Sequence, residues 1–242
     1  MPPPLSDGIP CVLVHDAGGN AATWARQIEA LGAGAGAVAL DFPGHGRSSG
    51  IAGPGDVAAH ADVVERVIDW LGRAVALVGW GLGGAACLEV AGRGSARLEG
   101  LVLVGTAERF AVPEELVAIL RDVVRGRRPQ HFGTELFAPE TPLDVMKAAW
   151  TEQVKTDPRV WLEDLERLAA WGGRDLAGRV SVPTLVLGGA HDRLAAPDQA
   201  RALADGICGA RVEIVDRAGH QLPIEQADTV SAALTGFVET LA

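Results

Sequence analysis

Cysteine is scarce in this chain, with Cys11, Cys87 and Cys208 the only three in 242 residues. An odd, sparse set argues against a disulfide framework and fits a reducing compartment. Cys11 and Cys87 stand inside apolar runs, where a thiol serves as a small core group. Long apolar runs are missing too, and none approaches the ~18 residues of a membrane span. The opening MPPPLSDGIP has neither the basic nor the apolar region of a secretory signal. Positive charge is outweighed, 21 Lys and Arg against 31 Asp and Glu, a net charge of −10. That balance argues against nucleic acid or an anionic membrane as partner. The most basic run, Arg125-Gly126-Arg127-Arg128, reads as a solvated helix end. The expectation is a soluble, cytoplasmic protein that acts on or binds a small molecule.

What is present is an alternation. Short apolar runs end in glycine or acidic turns: 12–14 at His15-Asp16-Ala17-Gly18-Gly19, 38–40 at Asp41-Phe42-Pro43-Gly44, and 75–78 at Gly79. The runs 101–104, 184–187 and 212–215 end at Gly105, Gly188 and Asp216. Near-continuous apolar strands suit a sheet covered on both faces. Helical spacing lies between them at 56–71, 200–204 and 229–241. This predicts an α/β fold with a doubly wound, mostly parallel sheet and ligand-binding loops at the carboxyl ends of its strands. Residues 108–179 break the alternation, with helical patterns near 113–125, 143–155 and 158–170 and no strand. They read as a helical cap inserted into a core of residues 1–107 and 180–242. Trp150, Trp161 and Trp171 lie in it, either as cap core or as the roof of an apolar pocket.

Four stretches, in order, carry a resemblance. Val14-His15-Asp16-Ala17-Gly18-Gly19 looks like an H-G-x-G oxyanion loop, and DFPGHGRSSG (41–50) like a D-x-P-G-x-G-x-S loop. Gly79-Trp80-Gly81-Leu82-Gly83 looks like a nucleophile elbow. GGAHDRLAAP (188–197), followed by Ala218-Gly219-His220, looks like an acid loop and a histidine loop. Together they resemble the α/β-hydrolase fold over about two thirds of the chain. Three departures stand out. Only about ten residues precede the first central strand, little room for an opening hairpin. Asp16 stands where the family usually has glycine, and Gly81 where it has the nucleophilic serine.

The resemblance implies that His220 is the general base and Asp192 the acid that orients it. The Ala17 and Leu82 amides match the oxyanion donors, which a missing serine side chain leaves in place. Asp16 is expected to turn away as a loop acid, since pointing inward it would oppose a developing oxyanion. Asp16, Trp80, Trp150 and Trp161 are the expected pocket residues. The elbow holds its central residue in a strained conformation that costs a side chain about 1–3 kcal/mol and that glycine largely escapes. Gly81 is expected to leave space for a water beside His220, and Gly81→Ser alone to supply the one missing group. His45 reads as structural, and Ser48, Ser49 and Cys87 as poor substitutes for the nucleophile. His191 is a neighbour of the acid, and His60 and His131 have no motif context. No metal site and no cofactor are expected.

Three functions stay open. One is a hydrolase-like enzyme acting on a small apolar ester, thioester or related carbonyl compound with His220 and Asp192 but no serine. Another is a pseudoenzyme or small-molecule binding protein. The third is a proton-abstracting lyase or cofactor-free dioxygenase.

Overall fold

A computed structural model describes residues 8–32, 36–130 and 132–241. His131 lies outside the described residues, as do residues 1–7, where most of the expected hairpin gap falls. Among the described residues, six strands form one parallel sheet in the order β2-β1-β3-β4-β5-β6. These are β1 (Cys11–Val14), β2 (Ala37–Leu40), β3 (Val75–Trp80), β4 (Leu98–Val104), β5 (Thr184–Gly189) and β6 (Arg211–Val215). The chain leaves β1 for β2 on one side and returns to β3 on the other. β1 and β3 therefore flank the point where strand order reverses, the place such sheets reserve for ligands. Val14 sits opposite both Leu40 and Gly79, so the loops after these three strands leave the sheet at one level.

Alternating side chains build a core on each face. Val12, Leu77, Leu101 and Val186 pack under α2 (Val57–Leu71), α3 (Leu82–Gly92) and α8 (Pro197–Gly206). Leu13, Ala76, Val78, Val102 and Leu185 pack under α1 (Ala25–Leu31) and α10 (Ala227–Glu239). All six residues of β3 are buried, as a central strand covered on both faces requires, whereas the edge strand β6 is largely exposed. The Asp56 side chain caps α2 at Ala59, and Gly72 ends it in the left-handed region at φ 68°.

Between β4 and β5 the described residues are helical, with α4 (Glu114–Val124), α5 (Leu143–Gln153), α6 (Pro158–Ala170) and α7 (Arg174–Ala177). Leu116, Leu120, Trp161, Leu165 and Leu168 from this segment pack with Ala17, Leu82, Ala107 and Leu194 at the strand ends. The segment thus lies over the loops that follow β1, β3, β4 and β5. A short α9 (Leu222–Glu225) precedes α10. No helix among the described residues is long and apolar enough to cross a membrane.

The turn from β3 into α3 depends on absent side chains. A Cβ on Gly79 would lie 2.4 Å from the Gly83 carbonyl oxygen, and one on Gly83 2.4 Å from the Val14 carbonyl oxygen. Both obstacles are backbone, so the helix would have to move off the sheet. Gly79→Ala is therefore expected to lower stability by about 3 kcal/mol, read as a lower urea midpoint with an unchanged transition slope.

Candidate active site

His220 follows β6 in a turn that the helical segment covers, its own amide donating to Leu136 O at 2.8 Å. The ring is fully buried. Nδ1 faces Asp192 Oδ2 at 2.8 Å and Nε2 faces Asp16 Oδ2 at 3.1 Å. Trp80 Nε1 donates to the His220 carbonyl at 2.9 Å and packs its ring 6.0 Å from the imidazole. Asp192, on the loop after β5, is held by more than its histidine. Its Oδ1 accepts from the Leu194 and Ala195 amides at 2.8 and 2.9 Å.

Asp16 corrects the expectation from sequence. It does not turn away. Its carboxylate reaches inward, with Oδ1 accepting from Leu82 N at 2.8 Å and Oδ2 on His220. One of the two expected oxyanion donors is thus already in use. The Ala17 amide makes no hydrogen bond among the described residues. Gly81 stands at the head of α3 with φ 52° and ψ −113°, a conformation that side chains rarely adopt. A Cβ there would meet Asp16 Oδ1 inside any allowed contact distance. The carboxylate therefore fills the space in which a water was expected. Gly81→Ser alone does not complete this centre, because the new side chain has to expel Asp16 first.

The reason Asp16 points inward lies in its neighbours. His15 Nδ1 donates to the Asp16 carbonyl at 2.8 Å, and its Nε2 accepts from Phe42 N at 3.1 Å. These two bonds fix a neutral tautomer, and burial together with nearby His45 pushes the His15 pKa down to about 4. The carboxylate then finds a backbone donor in Leu82 N and an imidazole in His220. Burial disfavours a charged His220, but the charges of Asp192 and Asp16 and their hydrogen bonds outweigh it and raise its pKa to about 10. Over the neutral range the centre is an imidazolium between two carboxylates.

The remaining cavity is small, about 40 Å³, and its lining includes Asp16, Ala17, Trp80, Phe137, Trp150 and Gln221. Small-molecule pockets usually measure roughly 300–1,000 Å³. Trp150 and Trp80 line it. Trp161 does not: its indole packs on Gly18 inside the core of the helical segment. His191 is exposed near Glu140, at 3.8 Å. Cys87 is buried in α3, where desolvation pushes its thiol pKa up. Ser48 and Ser49 make no bond to His220 or Asp192 among the described residues. No group of three or more His, Cys, Asp or Glu side chains among the described residues is arranged to hold a metal ion.

Sequence reasoning missed Asp164. It lies fully buried on α6, where its carboxylate bonds Gly18 N and His45 Nε2 at 3.0 and 2.8 Å. The signal was available: Trp161, Asp164, Leu165 and Leu168 share the buried stripe of one helix. A carboxylate on such a stripe needs partners.

The raised His220 pKa fixes a pH dependence of stability. In the unfolded chain His220 loses its proton near the ordinary histidine value of 6.5, while in the fold it keeps it to about 10. Between these values the native state holds the extra proton, so stability falls as pH rises. The urea midpoint is expected to carry the full contribution below pH 6.5 and lose it progressively toward pH 10. Asp16→Asn should flatten that decline.

Residues 11–233 match the model of the alpha/beta hydrolase family. The chain is 30% identical to the dihydrolipoyllysine-residue acetyltransferase component of the acetoin cleaving system of Pseudomonas putida, over 96% of this chain. It spans only 64% of the length of that protein. It is 28% identical to a putative carbamate hydrolase of Azorhizobium caulinodans, covering 95% of this chain and 91% of the relative. Among solved structures, the enol-lactonase from Burkholderia xenovorans superposes with a TM-score of 0.86 at 26% identity, over 97% of this chain and 92% of the other.

Proposed function

This chain belongs to the alpha/beta hydrolase family, and on that premise we propose that it hydrolyses small, neutral carbonyl compounds with Asp16 in the part usually given to serine. The observation that carries the reading is the Asp16 carboxylate itself, on Leu82 N and on His220 Nε2 in the space of a residue-81 side chain. Gly81 holds the nucleophile's place in the elbow without a hydroxyl, so no acyl-serine forms. A carboxylate there acts as a base toward water. Water attacks the carbonyl carbon, its proton passes to Asp16, and the open Ala17 amide holds the carbonyl oxygen. The tetrahedral adduct collapses as His220 Nε2 gives its proton to the leaving oxygen, sulfur or nitrogen. Asp16 then returns its proton to His220. Asp192 holds the ring in place throughout.

Two carboxylates against one imidazolium leave the centre negative, which favours neutral substrates over carboxylate-bearing ones. The relatives named as a putative carbamate hydrolase and an enol-lactonase support carbamates and lactones as substrates beside esters and thioesters. The cavity of about 40 Å³ favours a second reading, in which Asp16 is a tethered carboxylate that closes an inactive site.

A panel of a short nitrophenyl ester, a thioester, a lactone and a carbamate separates the two. The wild-type chain is expected to hydrolyse one of these classes, with Asp16→Asn lowering kcat about 100-fold or more and His220→Ala abolishing turnover. Turnover equal in wild type and Asp16→Asn would remove Asp16 as the base. An inactive wild type beside an active Asp16→Gly/Gly81→Ser double variant would establish the closed site.

A further inference from the structure

We propose that Asp164 is a positioning residue for this centre: through the Gly18 amide it sets where the Asp16 carboxylate and the Ala17 amide stand. The loop of residues 15–19 carries both groups, and inside it Gly19 N and His15 Nδ1 both donate to the Asp16 carbonyl, at 2.9 and 2.8 Å. Gly18 takes φ 66°, and a Cβ there would lie 2.5 Å from the Trp161 indole. The Gly18 amide, which takes no part in those internal bonds, is fixed from outside, by α6. Asp164 Oδ2 accepts from Gly18 N at 3.0 Å and from His45 Nε2 at 2.8 Å, so one oxygen ties this loop to the loop after β2. The other oxygen meets Arg167 Nη1 at 3.3 Å and lies 3.9 Å from His60 Nε2, which has no hydrogen-bond partner among the described residues. Arg167 is itself anchored to Gly55 O at 3.0 Å and Glu163 at 2.8 Å.

Asp164 is fully buried, and burial works against its charge. The bonds from His45 and Gly18 and the nearby imidazoles more than offset that, and its carboxyl titrates below the ordinary aspartate range. A carboxylate kept charged in such a place, with one oxygen committed to a backbone amide two residues from Asp16, fixes a peptide plane. The next peptide back carries the Ala17 N–H. The position of the helical segment over the strand ends is thereby coupled to the geometry at His220, although Asp164 touches neither His220 nor substrate.

This inference rests on the reading that Asp16 acts at the centre, but its test does not need turnover. The readout is the downfield proton resonance of His220 Nε2–H in chain labelled with ¹⁵N-histidine, with Nδ1–H on Asp192 as internal reference. Asp164→Ala removes charge and acceptor, Asp164→Asn keeps an acceptor oxygen and removes the charge, and Asp164→Glu keeps the charge and displaces the carboxylate by one methylene. The Ala and Glu variants are expected to shift or lose the Nε2–H resonance, and the Asn variant to keep it, with Nδ1–H unchanged in all three. On a substrate from the panel, the Ala and Glu variants should lower kcat about tenfold or more with KM little changed, and Asn should restore it. A resonance that follows charge instead, shifted in Ala and Asn and unchanged in Glu, would overturn the proposal. So would a folded Ala variant with the wild-type resonance. Should the Ala variant not fold, Asp164→Glu decides alone: a wild-type resonance there overturns the proposal.

Discussion

A buried imidazolium between two carboxylates is the interaction on which the rest of this site depends. His220 has no access to water, so each of its ring protons needs an acceptor, and Asp192 and Asp16 supply one each. Buried charges are tolerated only when every partner is itself satisfied. Asp192 meets that condition with two backbone amides and Asp16 with the Leu82 amide. Four separate loops or helix starts must therefore agree in position, and the parallel sheet makes this possible. β1, β3, β5 and β6 all point their carboxyl ends at one place, and the register of β1 with β3 brings Asp16 level with the start of α3.

Positions 16 and 81 cannot be considered apart. Only a residue without Cβ at 81 leaves room for the Asp16 carboxylate, and only a small residue at 16 leaves room for a side chain at 81. Under the proposed reading, an aspartate and a glycine have exchanged the parts that a glycine and a serine usually take in this family. The exchange conserves a polar oxygen beside His220 while changing its chemistry, from a hydroxyl that forms esters to a carboxylate that accepts protons. It also gives the centre a charge that a serine centre lacks. The helical segment then matters twice, closing the cavity with Phe137 and Trp150 and clamping the Asp16 loop with Asp164 and Trp161.

The sheet was legible because its strands are apolar runs with glycine or acidic stops, and periodicity reports burial on both faces. The helices read at 56–71 and 158–170 announced themselves through their helical spacing. Helix α1 did not, since it follows the glycine-rich loop through a short 3-10 turn, residues 21–24, that Asn20 caps at Ala22 N. His220 and Asp192 were legible from their loops. The direction of Asp16 was not, because it depends on three contacts distant in sequence: the Leu82 amide, His220 and the space above Gly81. A one-dimensional pattern shows that a residue is unusual and says nothing of which way it turns. Asp164 was legible in principle as a charge on an apolar stripe, but its partners Gly18 and His45 lie more than a hundred residues away.

The most direct measurement is the protonation state of His220 itself, followed by ¹⁵N chemical shift from pH 5 upward. The account predicts an imidazolium with both ring N–H groups protected through neutral pH, titrating near 10, and a markedly lower value in Asp16→Asn. A His220 that titrates near its ordinary value, with Nε2 losing its proton and Asp16→Asn making no difference, would contradict it.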